Sequence, residues 1–106
     1  MKSTQFKLPE GKDLAYFAGI FDGEGNIYIQ RSHVIQITTT SEELKLWLLW
    51  NIGGVCCTYH DGNDTHKRVY KWRVIRKADV IALATAVLPY CVVKQRELRV
   101  FLNSML

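Results

Sequence analysis

Glu24 is the residue of this chain best placed to do chemistry: one carboxylate between two glycines, Gly23 and Gly25, directly after an apolar stretch. Upstream, Asp13 has the side chain of a helix N-cap, because its carboxylate accepts from the free amides of a first turn, and Leu14 to Phe21 supply an apolar helix. Gly23 suits the left-handed residue that ends a helix, and Gly25 lets the backbone turn sharply into a strand. Ala18 and Gly19 carry almost no side chain, so a second helix can approach this face more closely than the usual ~8–10 Å. Two copies of the helix meeting about a two-fold axis would bring two Glu24 carboxylates side by side at its end. Paired carboxylates of that kind suit divalent cations and phosphate chemistry.

Spacing excludes two familiar motifs for the same residues. A phosphate-binding Gly-x-Gly-x-x-Gly loop follows a strand, whereas these glycines follow a helix at a different spacing. The run Asp22-Gly23-Glu24-Gly25-Asn26-Ile27 imitates the middle of a calcium-binding EF-hand loop, but that register puts Ile20 and Arg31 where acidic ligands are required. The remaining alternative is a plain helix stop followed by a solvent-exposed glutamate.

The elements that would position Glu24 are legible downstream. Asn26 to Gln30 alternates, with Ile27 and Ile29 on one side and Asn26, Tyr28 and Gln30 on the other, which predicts a half-buried strand. Arg31-Ser32-His33 makes a tight connection to a second, β-branched strand over 34–40, with Gln36 and Thr38 opposite Ile35, Ile37 and Thr39. Ser41-Glu-Glu-Leu opens a helix with a cap and first-turn acids, and Gly53-Gly54 stops it. A third strand spans 55–60, a turn-rich tip covers 61–64, and a fourth strand spans 69–75 with Tyr70, Trp72 and Val74 sharing one face and Lys71 and Arg73 the other. Asp79 caps a helix to about Leu88, closed by Pro89, and a last helix runs from about Lys94 to Met105. The order α-β-β-α-β-β-α-α, with the unit α-β-β-α-β-β present once, implies an α+β domain: a four-stranded antiparallel sheet with helices on one face.

Composition sets the wider bounds. The chain has 106 residues, enough for one domain over 1–106 and not for two. Hydrophobic residues at 48% and charged residues at 23% describe an ordinary globule rather than a disordered tail. A formal charge of +4 makes a polyanionic partner plausible, and its distribution sharpens that: Lys67, Arg68, Lys71, Arg73, Arg76 and Lys77 cluster, as do Lys94, Arg96 and Arg99. Cys56, Cys57 and Cys91 fit neither a disulfide framework nor a zinc site, so reduced thiols are expected. No apolar signal core or membrane-length run is present, which implies no membrane partner and an intracellular protein, cytoplasmic or organellar.

With helices over the apolar face, the opposite sheet face would carry Asn26, Tyr28, Gln30, Gln36, Thr38, Lys71 and Arg73, with Arg31 at the hairpin end. Amide, hydroxyl and guanidinium groups on an antiparallel ribbon are what major-groove readout requires, with Arg pairing to guanine and Gln or Asn to adenine. Any solvated sheet face is polar, which is the competing reading.

Phe17-Ala18-Gly19-Ile20-Phe21-Asp22-Gly23-Glu24-Gly25 resembles the signature of the LAGLIDADG homing endonucleases, and the element order from about Asp13 to Leu102 is similar to theirs. The resemblance implies a LAGLIDADG-like αββαββα fold, and Glu24 as the residue that binds Mg²⁺ (or Mn²⁺), with Gly23 beside it. It also implies Asp22 as a mainly structural acid near the helix end, and Lys94 as a basic residue reaching the scissile phosphate. Thr39 falls where relatives hold the catalytic water, although strand parity turns it inward and leaves Thr38 or Thr40 as alternatives. With one motif per chain, the resemblance implies a homodimer joined through Phe17, Ala18, Gly19 and Asp22, acting on a palindromic or pseudo-palindromic site in double-stranded DNA. A short first hairpin departs from the pattern and would reduce the base pairs each subunit touches.

Two functional hypotheses follow. The first is a metal-dependent, homodimeric, site-specific DNA endonuclease of intron or phage origin. The second, of another class, is a non-cleaving DNA-binding regulator or an RNA-binding intron maturase.

Overall fold

The computed structural model describes residues 2–59 and 68–106, with side chains from residue 5 onward. The turn expected at 61–64, together with His60 and Lys67, lies outside the described residues. Ten elements follow in order: β1 (Lys2–Thr4), α1 (Gly11–Glu24), β2 (Gly25–Gln30), β3 (Ser32–Thr39), α2 (Glu42–Asn51), β4 (Gly54–Tyr59), β5 (Val69–Val74), α3 (Lys77–Val87), a 3-10 turn (Leu88–Tyr90) and α4 (Gln95–Asn103).

The four expected strands form one antiparallel sheet, and β1 joins its edge as a fifth, giving the order β1-β4-β5-β3-β2. The three residues of β1 show no apolar alternation and are recruited through backbone pairing to Gly54, Val55 and Cys56. The first hairpin is tighter than its sequence suggests. Pairing runs out to Gln30 opposite Ser32, leaving Arg31 alone in the connection with φ +66°.

All helices pack on the side bearing Ile35, Ile37, Trp72 and Val74. Trp72 centres that core: it is fully buried, meets Phe17 edge-on at 5.6 Å, and donates its indole N–H to the Gly53 carbonyl at 2.6 Å. Phe21, Leu48, Ile52, Val80, Leu83 and Leu98 complete it. Ile29 has the predicted orientation yet stays 61% exposed, because it lies near the outer end of the edge strand, beyond the helical layer. Opposite it, His33 stacks edge-on against Phe101 and its ring Nε2 lies 2.8 Å from the Ser104 hydroxyl, which ties α4 to the first hairpin.

The ends of α1 differ from the sequence reading. Glu10, not Asp13, occupies the cap position and makes no side-chain bond, while Asp13 lies within the first turn. Gly23 is an ordinary helical residue, and the chain leaves the helix at Gly25 in extended backbone. Gly25 is needed there for space: a Cβ would overlap the ring and carbonyl of Phe21, and the Gly25 N–H bonds that carbonyl to close the last turn. In α2 the prediction holds, since the Ser41 hydroxyl accepts the Leu44 N–H at 3.1 Å and Gly53 (φ +92°) and Gly54 (φ +88°) turn the chain into β4. Among the described residues, no helix is long and apolar enough to cross a membrane.

Candidate nucleic-acid interface and its acidic edge

The sheet face away from the helices is set by strand register. Asn26 pairs with Gln36, Gln36 with Arg73, Thr38 with Lys71, and Cys57 with Lys71, so Asn26, Tyr28, Gln30, Gln36, Thr38, Lys71 and Arg73 share this face as their alternation predicts. Parity adds Val55, Cys57 and Tyr59 of β4. Lys71 holds its ammonium 4.9 Å from the centre of the Tyr59 ring, a cation–π contact that keeps the charge on this face.

Gln36 is the hub of the surface. Its side-chain carbonyl oxygen accepts from the Arg73 Nε–H at 2.8 Å and from the Tyr28 hydroxyl at 3.2 Å, while its amide donates to Thr38 Oγ1 at 3.2 Å. At 8% exposure it is the one buried polar side chain among the described residues. The sequence marks Gln36 as a reader of bases, and the structure instead engages both ends of its amide with protein neighbours. Partial burial pulls the Arg73 guanidinium down, but the neighbouring Tyr59 and Tyr28 side chains outweigh this and leave it above its ordinary value. Arg73 is therefore a permanent cation.

Glu24 ends α1 and stands exposed where the helix hands over to β2. Because Gly25 pairs with Ile37, Glu24 falls beside the end of β3, in a shallow cleft walled by Thr38, Thr39, Thr40, Leu44 and Val69. The three threonines named from the sequence are thus all brought to the acid. Thr39 faces inward and its hydroxyl accepts the Ser41 N–H at 3.0 Å, whereas Thr38 and Thr40 are exposed. Among the described residues no group of three metal-ligating side chains occurs. Glu24 is the one acid lining this cleft among the described residues.

Asp22 and Lys94 lie behind this edge. The Asp22 carboxylate accepts the backbone N–H groups of Val92 (2.9 Å), Val93 (3.0 Å) and Lys94 (2.8 Å), capping α4 from a distant part of the chain. Burial pushes the Asp22 carboxyl up, but the Val93, Lys94 and Val92 amides and the Lys94 ammonium outweigh it and hold it below its ordinary value. The Lys94 ammonium donates to the Asp22 carbonyl at 2.9 Å, so it is close to the acidic edge yet engaged with the helix end.

The expected dimer surface is partly corrected. Phe17 and Ala18 are 0% and 1% exposed and point into the chain's own core, because they share the α1 face that meets Trp72 and α3. Gly19 is exposed, with open space beyond both it and Gly23. The outward stripe of small residues is Ala15, Gly19 and Gly23, spaced one helical turn apart.

No family model matches the sequence, and no match appears among curated proteins. Solved structures do match. The homing endonuclease I-CvuI, in complex with the I-CreI target in 2 mM Mg and with the DNA not cleaved, superposes with a TM-score of 0.66 at 15% identity, over 87% of this chain and 64% of that one. I-CvuI in complex with its own target in 2 mM Ca gives a TM-score of 0.61 at 14% identity, over 87% and 64%. The archaeal intron-encoded homing endonuclease I-Vdi141I, complexed with DNA, gives 0.65 at 19% identity, over 87% and 65%. This chain has the LAGLIDADG homing endonuclease fold. It spans about two thirds of the length of each of those chains.

Within this LAGLIDADG fold, the Asp22 cap and the Gln36 hub are the features that sequence reasoning missed. One signal was available for the first: Lys94 stands at the cap position of α4 with a side chain that accepts nothing, and its own backbone N–H needs an acceptor from elsewhere. The hub had no signal in the sequence, because it depends on β3 lying between β2 and β5. The thiols are free as expected, with Cys56 and Cys91 buried, and burial followed by the Asp22 charge pushes Cys91 up to about 11.

Proposed function

We propose that this protein is a site-specific, divalent-metal-dependent double-stranded DNA endonuclease acting as a homodimer. The observation that carries the reading is one juxtaposition: a helix-free sheet face bearing Tyr28, Gln36, Lys71 and Arg73, bordered at the strand ends by the exposed Glu24. The face supplies a two-stranded ribbon and its flanks for the major groove, and the DNA complexes of structures with the same fold support a DNA partner. Joining two copies through the Ala15–Gly19–Gly23 stripe would set their Glu24 carboxylates together and make the target site two-fold symmetric. Glu24 and the Gly23 carbonyl would hold Mg²⁺ or Mn²⁺, which lowers the pKa of an attacking water and neutralises charge on the phosphate. The protein's own groups orient the duplex through Lys71 and Arg73, fix the acidic edge through the Asp22–Lys94 clamp, and line the cleft with threonine hydroxyls.

A second reading is a DNA-binding protein that does not cut, acting as a regulator or an intron maturase. The engagement of Lys94 with the Asp22 carbonyl favours it, since that ammonium is not extended toward a phosphate. Both readings require duplex or structured RNA binding that weakens as salt rises. Equilibrium binding to a randomised 40-mer duplex, an RNA hairpin and heparin across a salt series tests this. A steep negative salt dependence with duplex preferred supports the nuclease or regulator; preference for the hairpin supports the maturase, and salt-independent binding contradicts all of them.

A further inference from the structure

We propose that Gln36 is a positioning residue: its carbonyl oxygen fixes the Arg73 guanidinium so that the outer nitrogens present a two-donor edge to guanine. This rests on the DNA-binding reading above and adds one specified base contact to it. The 2.8 Å bond from Arg73 Nε–H to Gln36 locks rotation about the end of the arginine side chain. Of the five N–H donors of a guanidinium, the bond to Gln36 uses the single Nε–H, so it engages none of the four N–H donors on the outer nitrogens. That remaining edge matches guanine O6 and N7 in the major groove.

The support is itself held. The Tyr28 hydroxyl donates to the same oxygen and the amide is anchored on Thr38 Oγ1, so the carbonyl direction is set by two further strand positions. At 8% exposure Gln36 sits below the surface and serves as the floor on which Arg73 rests. An arginine held in this way loses little freedom on contact and tolerates only one register of the base, whereas an unrestrained one would contact phosphates and bases alike. Gln36 therefore governs selectivity at one base pair per half-site more than total affinity.

The test is selection of a randomised duplex library by the full chain, comparing wild type with Arg73→Ala, Gln36→Leu and Gln36→Glu. Wild type is expected to prefer guanine at one position per half-site by about tenfold or more, and Arg73→Ala to erase that preference. Gln36→Leu should flatten the same position to about threefold or less. Gln36→Glu, whose carboxylate still accepts from Arg73, should restore the preference, which a purely structural defect would not allow. Circular dichroism checks the fold of each variant, and if Gln36→Leu does not fold, Gln36→Met carries the same comparison. An unchanged guanine preference in the folded Leu or Met variant overturns this inference alone. Absence of any salt-sensitive duplex binding by wild type overturns the functional reading and this inference with it.

Discussion

Asp22 and Lys94 cap each other's helices: the Asp22 carboxylate accepts the Lys94 backbone N–H at 2.8 Å, and the Lys94 ammonium donates to the Asp22 carbonyl at 2.9 Å. The pair joins the C-terminal end of α1 to the N-terminal end of α4 and sets the direction of the chain two residues before Glu24. A negative charge at one helix start and a positive charge at the other helix end both oppose the helix dipoles favourably.

Replacing Asp22 by Asn is expected to lower stability by about 1 kcal/mol, and by Ala by about 2 kcal/mol. Because the folded protein holds this carboxyl below its ordinary 3.8, the contribution is fully present above that value and is lost as pH falls through the lower folded value. Urea unfolding should therefore separate wild type from Asp22→Asn at neutral pH, with the two converging as the medium becomes strongly acidic. A gap that persists or widens in acid would show that the charge is not what matters.

Arg31 is held alone in the first hairpin connection at φ +66°, a backbone region unfavourable for a side chain with a Cβ. Arg31→Gly is expected to raise stability by about 0.5–1 kcal/mol, measured as a higher urea midpoint at unchanged slope. The same change removes a cation from the end of the proposed DNA surface and should weaken duplex binding. Opposite signs for stability and binding are the expected pattern.

Trp72→Phe tests the core. The indole N–H satisfies the buried Gly53 carbonyl at 2.6 Å, so phenylalanine leaves that acceptor unpaired and also leaves space unfilled. A loss of about 2–4 kcal/mol is expected in chemical denaturation. A loss within ~0.5 kcal/mol, the range of surface changes, would mean the site relaxes around the smaller ring.

Much of this architecture is written in local sequence because local physics decides it. Alternation from Asn26 to Gln30 and from Val69 to Val74 gives both faces of the sheet, and Ser41 and Gly53-Gly54 give the limits of α2. The features that local sequence does not reveal depend on distant partners. β1 is a strand only because β4 offers a free edge, and Phe17 is core rather than interface because Trp72 arrives from β5. Gly23 continues the helix because Gly25 alone must make room for Phe21. The carboxylate at Glu24 and the polar sheet face were visible at once; the Gln36 hub and the Asp22 clamp required the fold.

Lys71 and Arg73 should behave differently on the same face. Lys71, resting over Tyr59, is expected to act as a point charge. Lys71→Ala should then weaken binding to all duplexes alike and make the salt slope shallower by about 0.9 for each phosphate the lysine neutralises. A change confined to one base position, with the salt slope unaltered, would assign Lys71 to base reading instead.

The most direct test of the account is cleavage of a plasmid library in Mg²⁺ or Mn²⁺ by wild type and by Glu24→Gln. Glu24 is exposed and bonds no core group among the described residues, so the amide variant should fold and bind duplex DNA as wild type does. The account predicts linearised products with wild type, none with Glu24→Gln, and loss of wild-type cutting when the cation is chelated. Equal cutting by both proteins, or tight binding by wild type with no cutting in either metal, would contradict it.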